Sequence, residues 1–214
     1  MGDVDPDDID YDNPPFPLTA IDRELLATKD EDYHRITWDD LKRIIEDNTL
    51  ENLKRLPSDL RRYLAWSHNT KRAYGGIVPY VLQERLRWKP LTDGPPTFAH
   101  ASEIPFQVRS DYAVLQNDWP YGFVSGISHL LVWSKTPIPT DDVRGDVTET
   151  SRKLIEDFVH DYFIKDLGEG GSERVLWFKN WVSLQSVRGV DHVHVLVRDA
   201  PEELLAKWTE RKDL

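Results

Sequence analysis

Arg174 to Asp199, RVLWFKNWVSLQSVRGVDHVHVLVRD, is the stretch whose reading decides the fold. Its last part alternates as a β-strand does, and successive strand residues point to opposite sides of a sheet. Val193, Val195 and Val197 therefore share one face, and His192, His194 and Leu196 share the other. The valine face reads as core and the histidine face as a site. Just upstream, Lys179, Asn180, Gln185, Ser186 and Arg188 supply more polar groups than packing alone requires, because a buried polar group costs free energy unless it finds a partner. A single strand histidine is ordinarily structural, but two beside this polar run favour function.

Ser128 to Lys135 reads as a second strand, with His129, Leu131, Trp133 and Lys135 on one face, so His129 is a third imidazole for the same site. Three imidazoles suit zinc. The chain has no cysteine, however, no HExxH spacing, and only Asp191 as a nearby carboxylate in sequence. The expectation is metal-free and cofactor-free histidine chemistry. An imidazole whose other nitrogen is held by a carbonyl works near neutral pH as a general base or a nucleophile. Either His192 or His194 can fill that role, with Ser186 and Lys179 as further catalytic candidates. Between strands, the loop NDWPYGFVSGI, Asn117 to Ile127, sets Asp118 beside Trp119 and Tyr121, a carboxylate and aromatic grouping that suits a guanidinium. The competing reading is a Pro-Tyr-Gly turn with Trp119 in the core.

Further outward, periodicity divides the chain into 1–36, acidic and largely extended; 37–90, a helical subdomain with a basic face; and 91–214, an α+β unit. Helices are expected after Thr37, capped with Asp40 three residues on; after Pro57-Ser58 to Gly75; and from Ile77 to Trp88. After the turn-rich WKPLTDGPPTF the period becomes 2. Strands are expected at Phe106 to Val108, Tyr112 to Leu115, Ser128 to Lys135, Val175 to Asn180 and His192 to Arg198. A helix from Thr148 to Leu167 interrupts them, and a last one from Pro201 to Lys212 follows a cap at Asp199. This order implies an α+β fold with a mainly antiparallel sheet.

The 214 residues carry a net charge of −11 that is unevenly spread. Residues 1–51 hold 16 acidic and 5 basic side chains, whereas residues 52–89 hold 9 basic and 2 acidic. Lys54, Arg55, Arg61, Arg62, Lys71, Arg72, Arg85, Arg87 and Lys89 form the basic set, which suits contact with nucleic-acid phosphates. A solvated face paired with the acidic N-terminal segment explains them equally well. Mean hydropathy is −0.56, and neither a membrane span, a signal peptide nor a disulfide framework is read, so a cytoplasmic protein without a membrane partner is expected.

Three blocks in order, LKRLPSDLRRYLAW, NDWPYGFVSGISHLLVWSKTPI and WFKNWVSLQSVRGVDHVHVLVRD, resemble the fungal N-acetylglucosamine-induced protein family, a domain of unknown function, over roughly residues 37–199. Some fungal proteins associated with that family look like arginine-containing cyclodipeptide synthases. The resemblance implies an aminoacyltransferase that condenses arginine from arginyl-tRNA with a second aminoacyl group from another charged tRNA. It gives the basic helices a partner in tRNA phosphates, and gives His129, Asp118, Trp119, Tyr121, Asn180, Trp181, Gln185 and Arg188 a substrate-binding role. A fainter resemblance is to the histidine-triad fold: HLLVWSK at 129–135, Asn180, Gln185-Ser186-Val187, then His192 and His194. Here Leu196 stands where a third alternating histidine would, and Arg188 to Asp191 lengthen the gap. That likeness implies the topology and, as an alternative activity, a nucleotide hydrolase or transferase. The name of the first family suggests a third reading, a non-catalytic amino-sugar-response protein.

Overall fold

The computed structural model describes residues 3–143 and 145–210. Four strands, β1 (Tyr112–Gln116), β2 (Ile127–Ser134), β3 (Val175–Phe178) and β4 (His192–Arg198), form one antiparallel sheet in the order β1-β2-β4-β3. β4 is buried along nearly its whole length because helices cover both of its faces. On one face Val193, Val195 and Val197 join Leu130 and Val132 against Ile155, Val159 and Phe163 of a long helix and Trp208 of the last one. On the other face the N-terminal helices pack.

Those N-terminal helices are α1 (Ala20–Leu26), α2 (Trp38–Glu46), α3 (Pro57–Tyr74) and α4 (Ile77–Tyr80). Thr19 with Asp22, and Thr37 with Asp40, close reciprocal capping boxes that satisfy the first free amides of α1 and α2. Pro57 occupies the first turn of α3, where its missing N–H costs nothing, and Gly75 ends it at φ +76°. α4 runs on as a π-helical turn, Val81–Leu86, and Arg87 stops it in the left-handed region. On the opposite face α5 (Glu149–Val159) passes through a second π turn, His160–Ile164, into α6 (Lys165–Leu167), and α7 (Glu202–Thr209) closes the layer.

Several expectations need correction. Phe106 to Val108 is not a strand: Phe106 turns at φ +65° so that its ring can stack 4.7 Å from Phe158. The segment 1–36 contains α1, and its first residues lie along α3 through Val4–Asn69 and Tyr11–Arg61 hydrogen bonds. Helix α4 with its π turn ends at Leu86, not Trp88, and β3 ends at Phe178, not Asn180. Asp199 does not cap α7: it sits in the left-handed region at φ +52° beside Gly126, and the last helix starts at Glu202, while Lys212 lies outside the described residues.

Phe163 is fully buried between Tyr162 and Trp208. Truncating it to alanine removes a large apolar surface and leaves a void that neighbours only partly fill, so a loss of about 3–5 kcal/mol is expected. Urea unfolding of Phe163→Ala checks this; a midpoint equal to that of the wild type contradicts the packing described.

Candidate functional site

Register places the histidines. Leu131 faces His194 and Trp133 faces His192 across the β2–β4 ladder, while His129 faces Leu196. His129 and His194 are therefore diagonal neighbours on one face, within reach of a direct contact. Their nitrogens, His129 Nε2 and His194 Nδ1, lie 2.9 Å apart. At the far ends of this pair stand Asn117, with Nδ2 3.2 Å from His129 Nδ1, and Asn180, with Nδ2 3.2 Å from His194 Nε2.

Hydrogen-bond logic fixes the direction of the chain. Asn117 Oδ1 accepts from the Trp119 backbone N–H at 3.0 Å, so its Nδ2 is the donor toward His129 Nδ1. A neutral His129 then carries its proton on Nε2 and gives it to Nδ1 of His194, whose own proton is on Nε2. Asn180 must meet that proton with an oxygen. As placed, its Oδ1 is buried without a partner. Turning the amide over puts Oδ1 against both His194 Nε2 and the Tyr121 hydroxyl, and leaves the amide nitrogen as the unmatched group. Asn180 is 95% buried, so the unmatched group costs free energy until a ligand meets it.

His192 stands outside this chain. Its Nδ1–H donates to the Val190 carbonyl at 2.8 Å, and its ring lies 4.5 Å from that of Trp133. Nε2 therefore carries a lone pair, and the residue lines a cavity of about 230 Å³. Burial pushes the His192 pKa down to about 4 and the His129 pKa down to about 3. Burial does the same to His194, reinforced by the neighbouring imidazoles and by Arg55. All three rings are neutral at pH 7. His194, Asn180 and Tyr121 also line the cavity, while His129 lies behind His194.

The opposite wall comes from the N-terminal helices. Tyr63 and Trp66 of α3 pack on Trp119, with Trp66 and Trp119 centroids 5.1 Å apart, and Tyr80 of α4 packs on Trp66. Arg55 stacks 3.9 Å over the Tyr63 ring, its Nε is buried without a hydrogen-bond partner, and among the described residues no carboxylate lies within ion-pair distance of it. Asp118 already holds a guanidinium, that of Arg85 at 2.8 Å, and burial raises its pKa against that pairing.

The protein-family comparison matches residues 37–198 to a protein of unknown function, DUF3605. The chain belongs to the DUF3605 family. N-acetylglucosamine-induced protein 1 of Candida albicans is 30% identical over 79% of this chain and 70% of its own length. The uncharacterized protein YPL067C of Saccharomyces cerevisiae is 32% identical over 82% and 85%. Among solved structures, the crystal structure of HTC1 superposes with a TM-score of 0.59 and 32% identity, covering 81% of this chain and 90% of that one. This DUF3605 chain is thus of the N-acetylglucosamine-induced protein kind, with an α+β fold around an antiparallel sheet.

Of the residues singled out from sequence, His192, His194, Asn180, Asp118, Trp119, Tyr121 and Ser186 do gather on the cavity wall. Lys179 does not reach it: its ammonium is buried against Asp191 at 3.0 Å, and Asp191 also accepts from the Ile138 N–H. Trp181 packs in the cluster with Trp38 and Leu41, Gln185 donates to the Asn180 carbonyl, and Arg188 is exposed. Of the basic set, Arg55 and Arg85 turn to the cavity, Arg61 bonds the Leu26 carbonyl, Arg62 pairs with Asp59, and Lys54 bonds the Glu51 carbonyl. Lys71, Arg72, Arg87 and Lys89 are exposed. Asn117 and Tyr63 were missed. Asn117 carried a readable signal, since it directly follows β1, opposite His129 on the neighbouring strand.

Among the described residues no group of three His, Cys, Asp or Glu side chains is arranged to hold a metal ion. None of their helices is long and apolar enough to cross a membrane.

Proposed function

We propose that this chain is an acyl-transfer enzyme, on a sheet of histidine-triad-like topology, that joins arginine from arginyl-tRNA to a second aminoacyl group and closes an arginine-containing diketopiperazine. The observation that carries the reading is His192: a neutral imidazole with Nδ1 committed to a carbonyl and Nε2 open to an aromatic-walled cavity. An aminoacyl ester is already activated, so the protein need only orient an amine, take its proton and stabilise an oxyanion. As the amine nitrogen bonds to the ester carbon, Nε2 accepts the amine proton. The tetrahedral oxyanion then collapses, the ester C–O bond breaks, and the departing ribose hydroxyl regains a proton from His192. Repeating this step within the dipeptidyl ester closes the ring.

The surroundings fit these demands. The Asn180 amide and Arg55 are donors with unmet capacity at the cavity wall. Glu51 and the Trp66 ring are an acceptor and a π face of the kind a substrate guanidinium requires, and Asp118 can receive it by exchanging Arg85. A cavity of about 230 Å³ suits an amino-acid-sized group better than the roughly 300–1,000 Å³ typical of drug-sized ligands. The second reading, a nucleotide hydrolase or transferase with His192 attacking phosphorus, is favoured by one observation: the uncompensated Arg55 cation beside the imidazoles.

Incubation with arginyl-tRNA and each of a panel of second charged tRNAs, read by mass spectrometry, tests the proposal. A cyclic dipeptide containing arginine is the expected product. Its absence across all second amino acids, with nucleotides cleaved instead, replaces the first reading with the second.

A further inference from the structure

A second groove, of about 410 Å³, lies beside the imidazole cavity and shares Arg85 and Leu115 with it. Arg87 and Lys89 line it from the segment after α4, Arg109 from the turn before β1, and Lys135 from the end of β2. Sequence distance hid this gathering, for Arg109 and Lys135 stand far from the basic run of residues 52–89. Aromatic rings hold two of these cations: Lys135 Nζ rests 5.3 Å from the Trp88 ring and the Arg109 guanidinium 4.8 Å from that of Tyr112. Among the described residues Glu210 is the one acidic residue on the wall, and Arg109 donates to its backbone carbonyl at 3.4 Å and to that of Tyr112 at 2.8 Å. Among the described residues Arg87, Lys89, Arg109 and Lys135 have no carboxylate within ion-pair distance.

In a chain with 38 acidic and 27 basic side chains, four cations around one groove, paired with no carboxylate among the described residues, suit an anion supplied from outside. Arg87 moreover holds φ +58°, a conformation that side-chain-bearing residues rarely adopt, at the groove lip. We propose that this groove seats a phosphodiester chain, the single-stranded 3′ end of the RNA that delivers the acyl group to the imidazole cavity. The inference rests on the acyl-transfer reading for the RNA's role, while the binding itself is measured without catalysis. Several cations lining one groove can each meet a phosphate of the same strand, and the shared Arg85 wall brings the end of such a strand to the cavity.

The test uses deacylated tRNA, the same tRNA trimmed of its last four nucleotides, and inorganic pyrophosphate, with fluorescence anisotropy over a range of salt. The wild-type chain is expected to bind tRNA with strong salt dependence, and the trimmed tRNA on the order of tenfold more weakly. Lys89→Glu with Lys135→Glu is expected to weaken tRNA binding by about tenfold or more, and the milder Lys89→Gln with Lys135→Gln to lower the log–log salt slope by about 0.7 per cation removed. Lys153→Glu, on the exposed side of α5 across the sheet, is expected to change little. Thermal unfolding of each variant separates lost binding from lost folding. Equal binding of intact and trimmed tRNA, no effect of the glutamine pair, an equal loss with Lys153→Glu, or binding of pyrophosphate without tRNA overturns the inference. If tRNA binds at the groove while charged tRNAs yield no cyclic dipeptide, the groove assignment stands and the acyl-transfer reading falls.

Discussion

His192→Asn is expected to slow product formation by roughly 10²–10⁴-fold, the range for removing a positioned general base. Asparagine is the informative substitute, because its side-chain N–H can keep the bond to the Val190 carbonyl while offering no basic lone pair to the cavity. Folding is then preserved and only the proton acceptor is lost. His194→Asn is expected to behave differently. It interrupts the run from Asn117 through His129 to Asn180, leaving buried donors unpaired at about 1–3 kcal/mol each. Its signature is therefore a stability loss that accompanies any loss of rate. Steady-state rates beside urea unfolding of both variants distinguish the two roles. Were His194→Asn inactive yet fully stable, and His192→Asn active, the assignment of the two histidines would reverse.

The second large effect is on stability against acid. A histidine whose folded pKa lies below its unfolded value of about 6.5 contributes stability that is whole above pH 6.5. Below that pH the unfolded chain binds protons that the folded chain refuses, so stability falls by about 1.4 kcal/mol per pH unit for each such imidazole. For His192 the loss continues down to its folded pKa of about 4, and for His129 to about 3. Between pH 6.5 and pH 4 each of these two thus removes about 3 kcal/mol, and His194 adds to the same sign. His100, raised by its bond to the Phe98 carbonyl, works the other way and offsets part of this loss. Since domains are stable by only about 5–15 kcal/mol, unfolding should begin near the lower end of this window. Urea midpoints between pH 7 and pH 4.5 measure the slope, and His192→Asn should reduce it by about one proton. Stability that stays flat across the window contradicts neutral buried imidazoles.

What the sequence made legible follows from periodicity. The HVHVLVR alternation gave the two faces of β4 because helices cover both, one with valine contacts and one with a cavity. Thr37 with Asp40 announced α2 through side-chain chemistry that needs no tertiary partner. Phe106 misled because its β-propensity yielded to aromatic stacking with Phe158, a contact made across 52 positions of sequence. Lys179 read as a catalytic group, yet Asp191 satisfies it beneath the cavity wall, which composition cannot reveal. The choice between His192 and His194 was open for the same reason. It turns on whether a ring nitrogen meets a carbonyl or another imidazole, and strand alternation makes the two equivalent.

The role of His192 as base depends on which of its ring nitrogens carries the proton. Nitrogen-15 NMR of ring-labelled protein, with two-bond proton–nitrogen correlations assigned through His192→Asn, reads this directly. The expected result at pH 7 is a neutral ring protonated at Nδ1, with Nε2 bare and titrating near pH 4. A proton on Nε2 at pH 7, or a ring that titrates near its ordinary value, contradicts the assignment of His192 as the base.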